Sequence, residues 1–302
     1  MTLAALRPAD RPFLGVLLML GFCMLAPVAD AFAKDLGGRV GLFHILALRF
    51  AVQTVLLAPL ALALGLPLLL RGRTLALTAL RGALHLAGIA FMVLALRHMP
   101  LADAVAIAFV MPFLMLMLGR FVLGETVGRR RLIACGVGFL GTLLVVQPSF
   151  VAVGAAALLP LGVALIFALF MLVTRMVARD ADPLAIQTVS GVFALLLIAP
   201  PLLFADAERW PDLAFGTLPV SDWIRLGLMG IVGTAAHLLM TWSLRFAPSA
   251  TLAPLQYVEL PFATLVGFLA FGDLPNGLAA LGIAVTMGAG LAVLRSERRA
   301  AG

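Results

Sequence analysis

Arg97-His-Met-Pro100-Leu-Ala102 returns 148 residues later as Arg245-Phe-Ala-Pro248-Ser-Ala250. The echo extends in both directions. Pro112-Phe113 returns as Pro261-Phe262, Gly124-Glu125 as Gly272-Asp273, and Gly136 as Gly282, at offsets of 149, 148 and 146. Earlier in each half, Ala58-Pro59 matches Ala199-Pro200 at an offset of 141. An ordered series of matches at nearly constant spacing is an internal duplication, which divides the chain into halves 1–150 and 151–302.

The composition says where the two halves reside. Of 302 residues, 63% are hydrophobic and 12% charged, against about 45–50% and about 25% in a soluble domain. There is too little polar surface to cover a soluble globule. A window of about 20 apolar residues, the length of a membrane-crossing helix, fits ten segments: 13–33, 43–63, 77–97, 100–120, 131–147, 153–174, 184–204, 223–245, 249–271 and 277–294. Lipid offers the backbone no hydrogen bonds, so each should be helical. Arg7 and Arg11 before the first run, and Ala31-Phe32-Ala33 at its end, give it the look of a cleavable signal. Its length and Asp30 argue for a retained span. The expected fold is all-α: ten transmembrane helices in two five-helix repeats. Five is odd, so the second repeat enters the membrane inverted. Inverted repeats around a central cavity are a mark of secondary transporters.

Orientation follows from the positive-inside rule. Of the 21 Lys and Arg residues, Lys34, Arg39, Arg97, Arg209 and Arg225 fall on one side and Arg49 within a span. The other fifteen, Arg81 and Arg175 among them, fall on the opposite side, which is therefore cytoplasmic and carries both termini. A bacterial-type inner membrane is the expected location, with the bilayer as the main partner. The net charge of +7 is thus an orientation signal. Basic residues spread along one membrane face do not form the stripe or groove that binds nucleic acid.

The same reading excludes most chemistry. Cys23 and Cys135 lie in separate apolar runs and make neither a disulfide framework nor a metal motif. No second His or Cys sits at ligand spacing, so no metal and no cofactor are expected. Nucleophile elbows and metalloprotease motifs are absent, against an intramembrane enzyme. Rings of repeated polar residues are absent too, against a channel.

Ionisable side chains inside a membrane are costly and mark function. Glu259 is foremost, eleven residues into the ninth span. Gln256 precedes it by three and shares its helix side, Tyr257 adds a hydroxyl, and Pro261 breaks the local hydrogen-bond ladder. Pro112 holds the matching place in the fourth span, with Phe109 before it. Such paired proline breaks point to a binding site. His85 and His237, in the corresponding third and eighth spans, can titrate near neutrality or hydrogen-bond a solute. Phe167, Phe170, Met171, Met240 and Trp242 are the expected apolar lining, with Phe91 beside them. Asp30 and Arg49 lie at similar depth and are expected to form a buried ion pair or a gate. Small residues four apart, Ala134 with Gly138 and Gly288 with Ala292, allow close helix contact within a monomer or across a homodimer.

Several of these stretches look familiar. Arg49-Phe50, the segment Gly119 to Gly141 around Gly124-Glu125, and Pro248-Ser-Ala-Thr-Leu-Ala-Pro-Leu-Gln-Tyr-Val-Glu259-Leu-Pro261 with Phe271-Gly272-Asp273-Leu274-Pro275 resemble the drug/metabolite transporter superfamily, with paired EamA-like domains. The resemblance covers nearly the whole chain. It implies a cavity lined by spans 1, 3, 4, 6, 8 and 9, with spans 5 and 10 peripheral. It also implies transport of a small amphiphilic solute, with or without a proton. An amino-acid exporter or facilitator is the leading expectation. Uptake of riboflavin, S-adenosylmethionine or a similar cofactor is the alternative, since the last stretch is similar to that branch.

Overall fold

The computed structural model describes residues 11–205, 210–213, 217–273 and 277–301. Arg7, Arg209 and Leu274-Pro275 lie outside them. Among the described residues the chain is helical, with no strand. The first half holds α1 (Pro12–Leu36), α2 (Leu42–Ala63), α3 (Gly72–Leu96), α4 (Leu101–Ala108), α5 (Met111–Leu123) and α6 (Arg129–Val153). After the short 3-10 run Gly154–Ala157, the second half holds α7 (Leu158–Val177), α8 (Pro183–Phe204), α9 (Val220–Phe246), α10 (Ser249–Leu252), α11 (Glu259–Phe271) and α12 (Gly277–Ala301).

Among the described residues, eight stretches are long and apolar enough to cross a bilayer, with α4–α5 and α10–α11 each counted as one. α6 and α12 are each 25 residues long, and among their described residues the apolar runs are Leu132–Leu144 and Ala280–Ala289.

Local chemistry sets the helix boundaries. Asp182 caps α8, its Oδ1 accepting from the Leu184 N–H at 2.9 Å, and Pro183 occupies the first turn, where no amide donor is needed. The proline breaks match across the halves. α4 stops at Ala108 and α5 restarts at Met111, with Pro112 in its first turn. In the second half, Ala253–Val258 tightens to a 3-10 helix before α11 begins at Glu259, with Pro261 near its start. α5 and α11 are both 13 residues long, and both end on a left-handed glycine, Gly124 (φ 66°) and Gly272 (φ 72°). Only glycine adopts that conformation without a Cβ penalty.

Hydrogen bonds tie the helices at two opposite ends of the bundle, separated by the length of α1, about 1.5 Å per residue. At the Pro12 end, the Arg11 N–H donates to the Phe246 carbonyl at 2.9 Å, and Ser243 Oγ donates to the Gly15 carbonyl at 2.7 Å. Gly15 rests on Ala247 and the Ser243 carbonyl, so α1 and α9 meet backbone to backbone. At the Leu36 end, Lys34 pairs with Asp273 at 2.8 Å, and Arg39 and Arg225 both pair with Asp222. α6 and α12 pack on each other, with Gly141 against Thr286 and the Gly282 carbonyl.

Asp212, in the segment between α8 and α9, fastens the Leu36 end. It accepts from Arg97 Nη1 at 2.8 Å and from the Leu42 N–H at 3.2 Å. Partial burial pushes its carboxyl up, but the hydrogen bonds from Arg97 and Leu42 and the Arg97 charge hold it below its usual value of 3.8. A depressed carboxyl stabilises the fold above the unfolded value, and the stabilisation is lost as pH falls through the folded one. Asp212→Asn is therefore expected to lower the melting temperature at neutral pH. The difference from wild type should begin to shrink as pH falls below about 4 and vanish only below the depressed folded value, in a detergent melt across pH.

Candidate substrate cavity

One cavity of about 70 Å³ lies among α1, α2, α3, α4, α5, α7, α9 and Glu259 at the start of α11. On α1 its lining runs from Phe22 to Ala33, so it reaches from mid-bundle toward the Leu36 end. Below it the Gly15–Ser243 contact closes the Pro12 end. A water needs roughly 10–15 Å³ of such space, and a drug-sized ligand a pocket of about 300–1,000 Å³. The cavity in this state has room for a few waters, and a solute requires it to widen.

Among the described residues, three charged side chains line it: Asp30, Arg49 and Glu259. Phe22, Phe109, Phe167, His237, Met92 and Met111 supply aromatic and soft apolar surface. No hydrogen bond or ion pair reaches the carboxyl of Asp30 or of Glu259 among the described residues. A carboxyl group without a donor in low dielectric is costly, and it is a natural seat for a cation or a proton. Arg49 has one long contact, Nη1 to the Met229 carbonyl at 3.5 Å.

The expected Asp30–Arg49 ion pair is not formed: both line the cavity, but no nitrogen of Arg49 lies within 4.0 Å of an Asp30 carboxyl oxygen. The cause is the crossing of α2 and α9. Gly230 receives Val52 and, one turn on, Gly233 receives the Arg49 guanidinium, so that a Cβ there would overlap it. The guanidinium therefore lies against α9 instead of α1. Gly233→Val is expected to expel Arg49 from this seat, to cost about 1–3 kcal/mol as overpacking does, and to reduce transport in vesicles at least tenfold. Unimpaired transport by a folded Gly233→Val protein would reject that role for the seat.

The other sequence candidates divide. His85 does not line the cavity, but its ring lies 4.1 Å from that of His237, and it stacks on Phe170 at 4.7 Å. Both ring nitrogens of His85 and Nδ1 of His237 are buried without a partner. Gln256 is fully buried and turned away from Glu259: its Nε2 points at the sulfurs of Met115 (2.9 Å) and Met171 (3.3 Å). The 3-10 geometry of 253–258 changes the facing that an α-helix predicts. Tyr257 faces α6, donating to the Cys135 carbonyl at 3.1 Å, with Gly138 against its ring. Pro112 is buried beside the lining residue Met111, and Pro261 is only partly buried. Phe170, Met171 and Met240 are fully buried in the core, outside the lining. Trp242 is partly buried and Phe91 exposed, packed over Gly162.

Arg81 is a correction to the charge reading, which counted it with the cytoplasmic-side charges although the expected span 77–97 encloses it. It is fully buried within α3. Its Nε donates to Thr174 Oγ1 (2.9 Å), Nη1 to Ser190 Oγ (2.6 Å), and Nη2 to Gln187 Oε1 (2.6 Å) and Thr241 Oγ1 (2.9 Å). The guanidinium lies over Phe170, 4.6 Å from the ring centre. The lining follows the spans implied by the resemblance, with one addition: α2, through Arg49. Among the described residues, no lining residue comes from α6 or α12. Sequence reasoning missed Phe22, Met111 and Gly233. A signal existed for Met111, which stands 148 residues before Glu259 in the duplicated segment.

A family model described as the EamA-like transporter family matches residues 13–147 and again 154–295. A protein of Rhizobium johnstonii (strain DSM 114642 / LMG 32736 / 3841) described as a riboflavin transporter is 30% identical over 214 residues, 70% of this chain and 68% of that protein. One of Rickettsia bellii (strain RML369-C) described as an S-adenosylmethionine uptake transporter is 23% identical over 271 residues, 90% of each. A second of that description, from Rickettsia prowazekii (strain Madrid E), is 28% identical over 121 residues, 40% of this chain and 41% of that protein. A crystal structure of a protein 21% identical to this chain superposes with a TM-score of 0.70, covering 95% of this chain and 97% of that one; it shows the fold.

Proposed function

The chain belongs to the EamA-like transporter family, and from that premise we propose that it carries a small organic solute bearing both a cationic and an anionic group, by alternating access. The family and the names of its relatives indicate a transporter rather than an enzyme. The observation that carries the substrate class is the joint presence of Asp30, Glu259 and Arg49 in one cavity lined by Phe22, Phe109 and Phe167. The carboxyl groups suit an ammonium or sulfonium, the guanidinium a carboxylate, and the rings an apolar body. Free amino acids and S-adenosylmethionine share this combination.

The path is ten spans in two inverted fives, with α6 and α12 as the fifth and tenth. Inversion is supported by the places of the two glycine stops: Glu125, just after α5, meets Arg175 at the Pro12 end, and Asp273, just after α11, meets Lys34 at the Leu36 end. The charge bias puts the Pro12 end and both termini in the cytoplasm, in an inner-membrane location. Amino-acid export is the direction the sequence resemblance suggests, and uptake the one in the names of the S-adenosylmethionine relatives. A second reading is riboflavin transport, favoured by the name of the Rhizobium relative and by the three phenylalanines.

Counterflow in proteoliposomes tests the reading, with labelled amino acids, S-adenosylmethionine and riboflavin, with and without a pH gradient. Saturable exchange of an amino acid or S-adenosylmethionine is expected, and sided preloading gives the direction. Exchange of riboflavin alone would replace it with the second reading. Failure of all three would overturn both.

A further inference from the structure

The two glycine stops place matched acids at opposite ends of the bundle, and the acids are not equally engaged. At the Pro12 end, Glu125 Oε1 accepts from the Ser249 N–H at 3.2 Å and Oε2 from the Ala250 N–H at 3.0 Å. Arg175 Nε lies 3.4 Å from Oε1, and Arg175 also donates to the Leu244 carbonyl. One carboxylate of the first half thereby binds three donors of the second. At the Leu36 end, Asp273 has the matching cation, Lys34, at 2.8 Å, and no other hydrogen bond among the described residues. The repeat mates of Ser249 and Ala250 are Leu101 and Ala102, which follow Pro100 as the former follow Pro248. No acceptor among the described residues reaches the amides of Leu101 and Ala102. Their segment is nonetheless adjacent: a Cβ at Gly267 of α11 would lie 3.8 Å from the Leu101 Cβ. Burial follows the same asymmetry, with the Glu125 side chain 12% exposed and that of Asp273 34%.

We propose that Glu125 and Asp273 are alternating latches, Glu125 holding the Pro12 end shut through the Ser249 and Ala250 amides, and Asp273 taking the Leu101 and Ala102 amides when the Leu36 end shuts. The proposal rests on the alternating-access reading and assigns positioning residues to it. Charge-assisted bonds to backbone amides are short-range and strong. An acid can hold them only when the two halves meet at its own end. Packed interfaces of this kind are bistable rather than continuously deformable, so the latches exchange as the cavity changes sides. The state seen here has the amide bonds of the first latch made and those of the second unmade, the Leu36 end being tied by side-chain ion pairs such as Lys34–Asp273 and Arg97–Asp212.

Side-specific labelling tests this without knowledge of the solute. On a background with Cys23 and Cys135 replaced by alanine, Ser243→Cys reports the Pro12 end and Ala33→Cys the Leu36 end, each probed with a membrane-impermeant maleimide. Glu125→Gln is expected to raise labelling at position 243 about tenfold and lower it at position 33, a shift of about 1.4 kcal/mol. Asp273→Asn is expected to shift both the opposite way, and the double variant to return toward the wild-type ratio. Shifts of the same sign, or none, would overturn the proposal, because a purely structural role predicts no opposition. If Glu125→Gln does not fold, Glu125→Asp, which keeps the charge but shortens the reach to the amides, must shift labelling with the same sign. Counterflow by wild-type vesicles separates the outcomes: its absence rejects transport, while unopposed shifts in active vesicles reject only the latches.

Discussion

Glu259→Gln is expected to cut counterflow of a cationic or zwitterionic solute by about tenfold to a hundredfold and to abolish any response to a pH gradient. The amide keeps the shape and loses the charge. Glu259 lines the cavity, is 7% exposed, and has no hydrogen-bond donor among the described residues. Its charge is therefore not used up within the protein. A hydrogen bond to a charged group contributes about 1.5–3 kcal/mol, and every 1.4 kcal/mol is about tenfold in affinity. The loss should enter as a raised half-saturation concentration, since solute binding is what the carboxyl serves. Asp30→Asn is the comparison: it sits in the same cavity, nearer the Leu36 end, and should weaken binding less if Glu259 holds the cationic group. Flux unchanged across the pH range in Glu259→Gln would exclude Glu259 from both roles.

Arg81→Ala is expected to have the largest effect on stability, about 3 kcal/mol, or roughly 5–10 °C in the detergent melting temperature. Arg81 joins α3 of the first half to α7, α8 and α9 of the second through four hydrogen bonds. The magnitude lies at the low end for a broken buried network because three of the acceptors stay satisfied. Thr174, Ser190 and Thr241 each donate to a backbone carbonyl, of Phe170, Gln187 and His237. Gln187 Oε1 is left without its guanidinium donor, and the volume of the side chain is left unfilled above Phe170. Arg81→Lys should fall between, because an ammonium is a point donor and cannot reproduce the planar fork. Melting within a degree of wild type in Arg81→Ala would show that the network is dispensable.

These two residues also mark the reach of sequence reasoning. Glu259 was legible because a carboxyl deep in an apolar run has few explanations, and because proline breaks recur in the two halves. Arg81 was not, because a charge near the start of the expected span 77–97 reads as an end charge facing water. α3 begins at Gly72, five residues before that span, so Arg81 lies more than two turns inside the helix. Gln256 and Tyr257 were placed in the cavity on α-helical spacing, and the 3-10 segment turned them elsewhere. Asp30 and Arg49 were placed at the right depth with the wrong relation, because their pairing depends on helix crossing rather than on depth.

The duplication, the apolar runs, the paired proline breaks and the left-handed glycine stops were all present in the order of residues. They concern the chain's dealings with lipid and with its own backbone over a few turns, and such interactions are set locally. The membership of the cavity was not. Which side chains meet depends on how each helix is rotated and how closely its neighbours approach. That was decided where Gly233 admits Arg49, where Gly15 admits Ala247, and where Arg81 finds acceptors on three other helices.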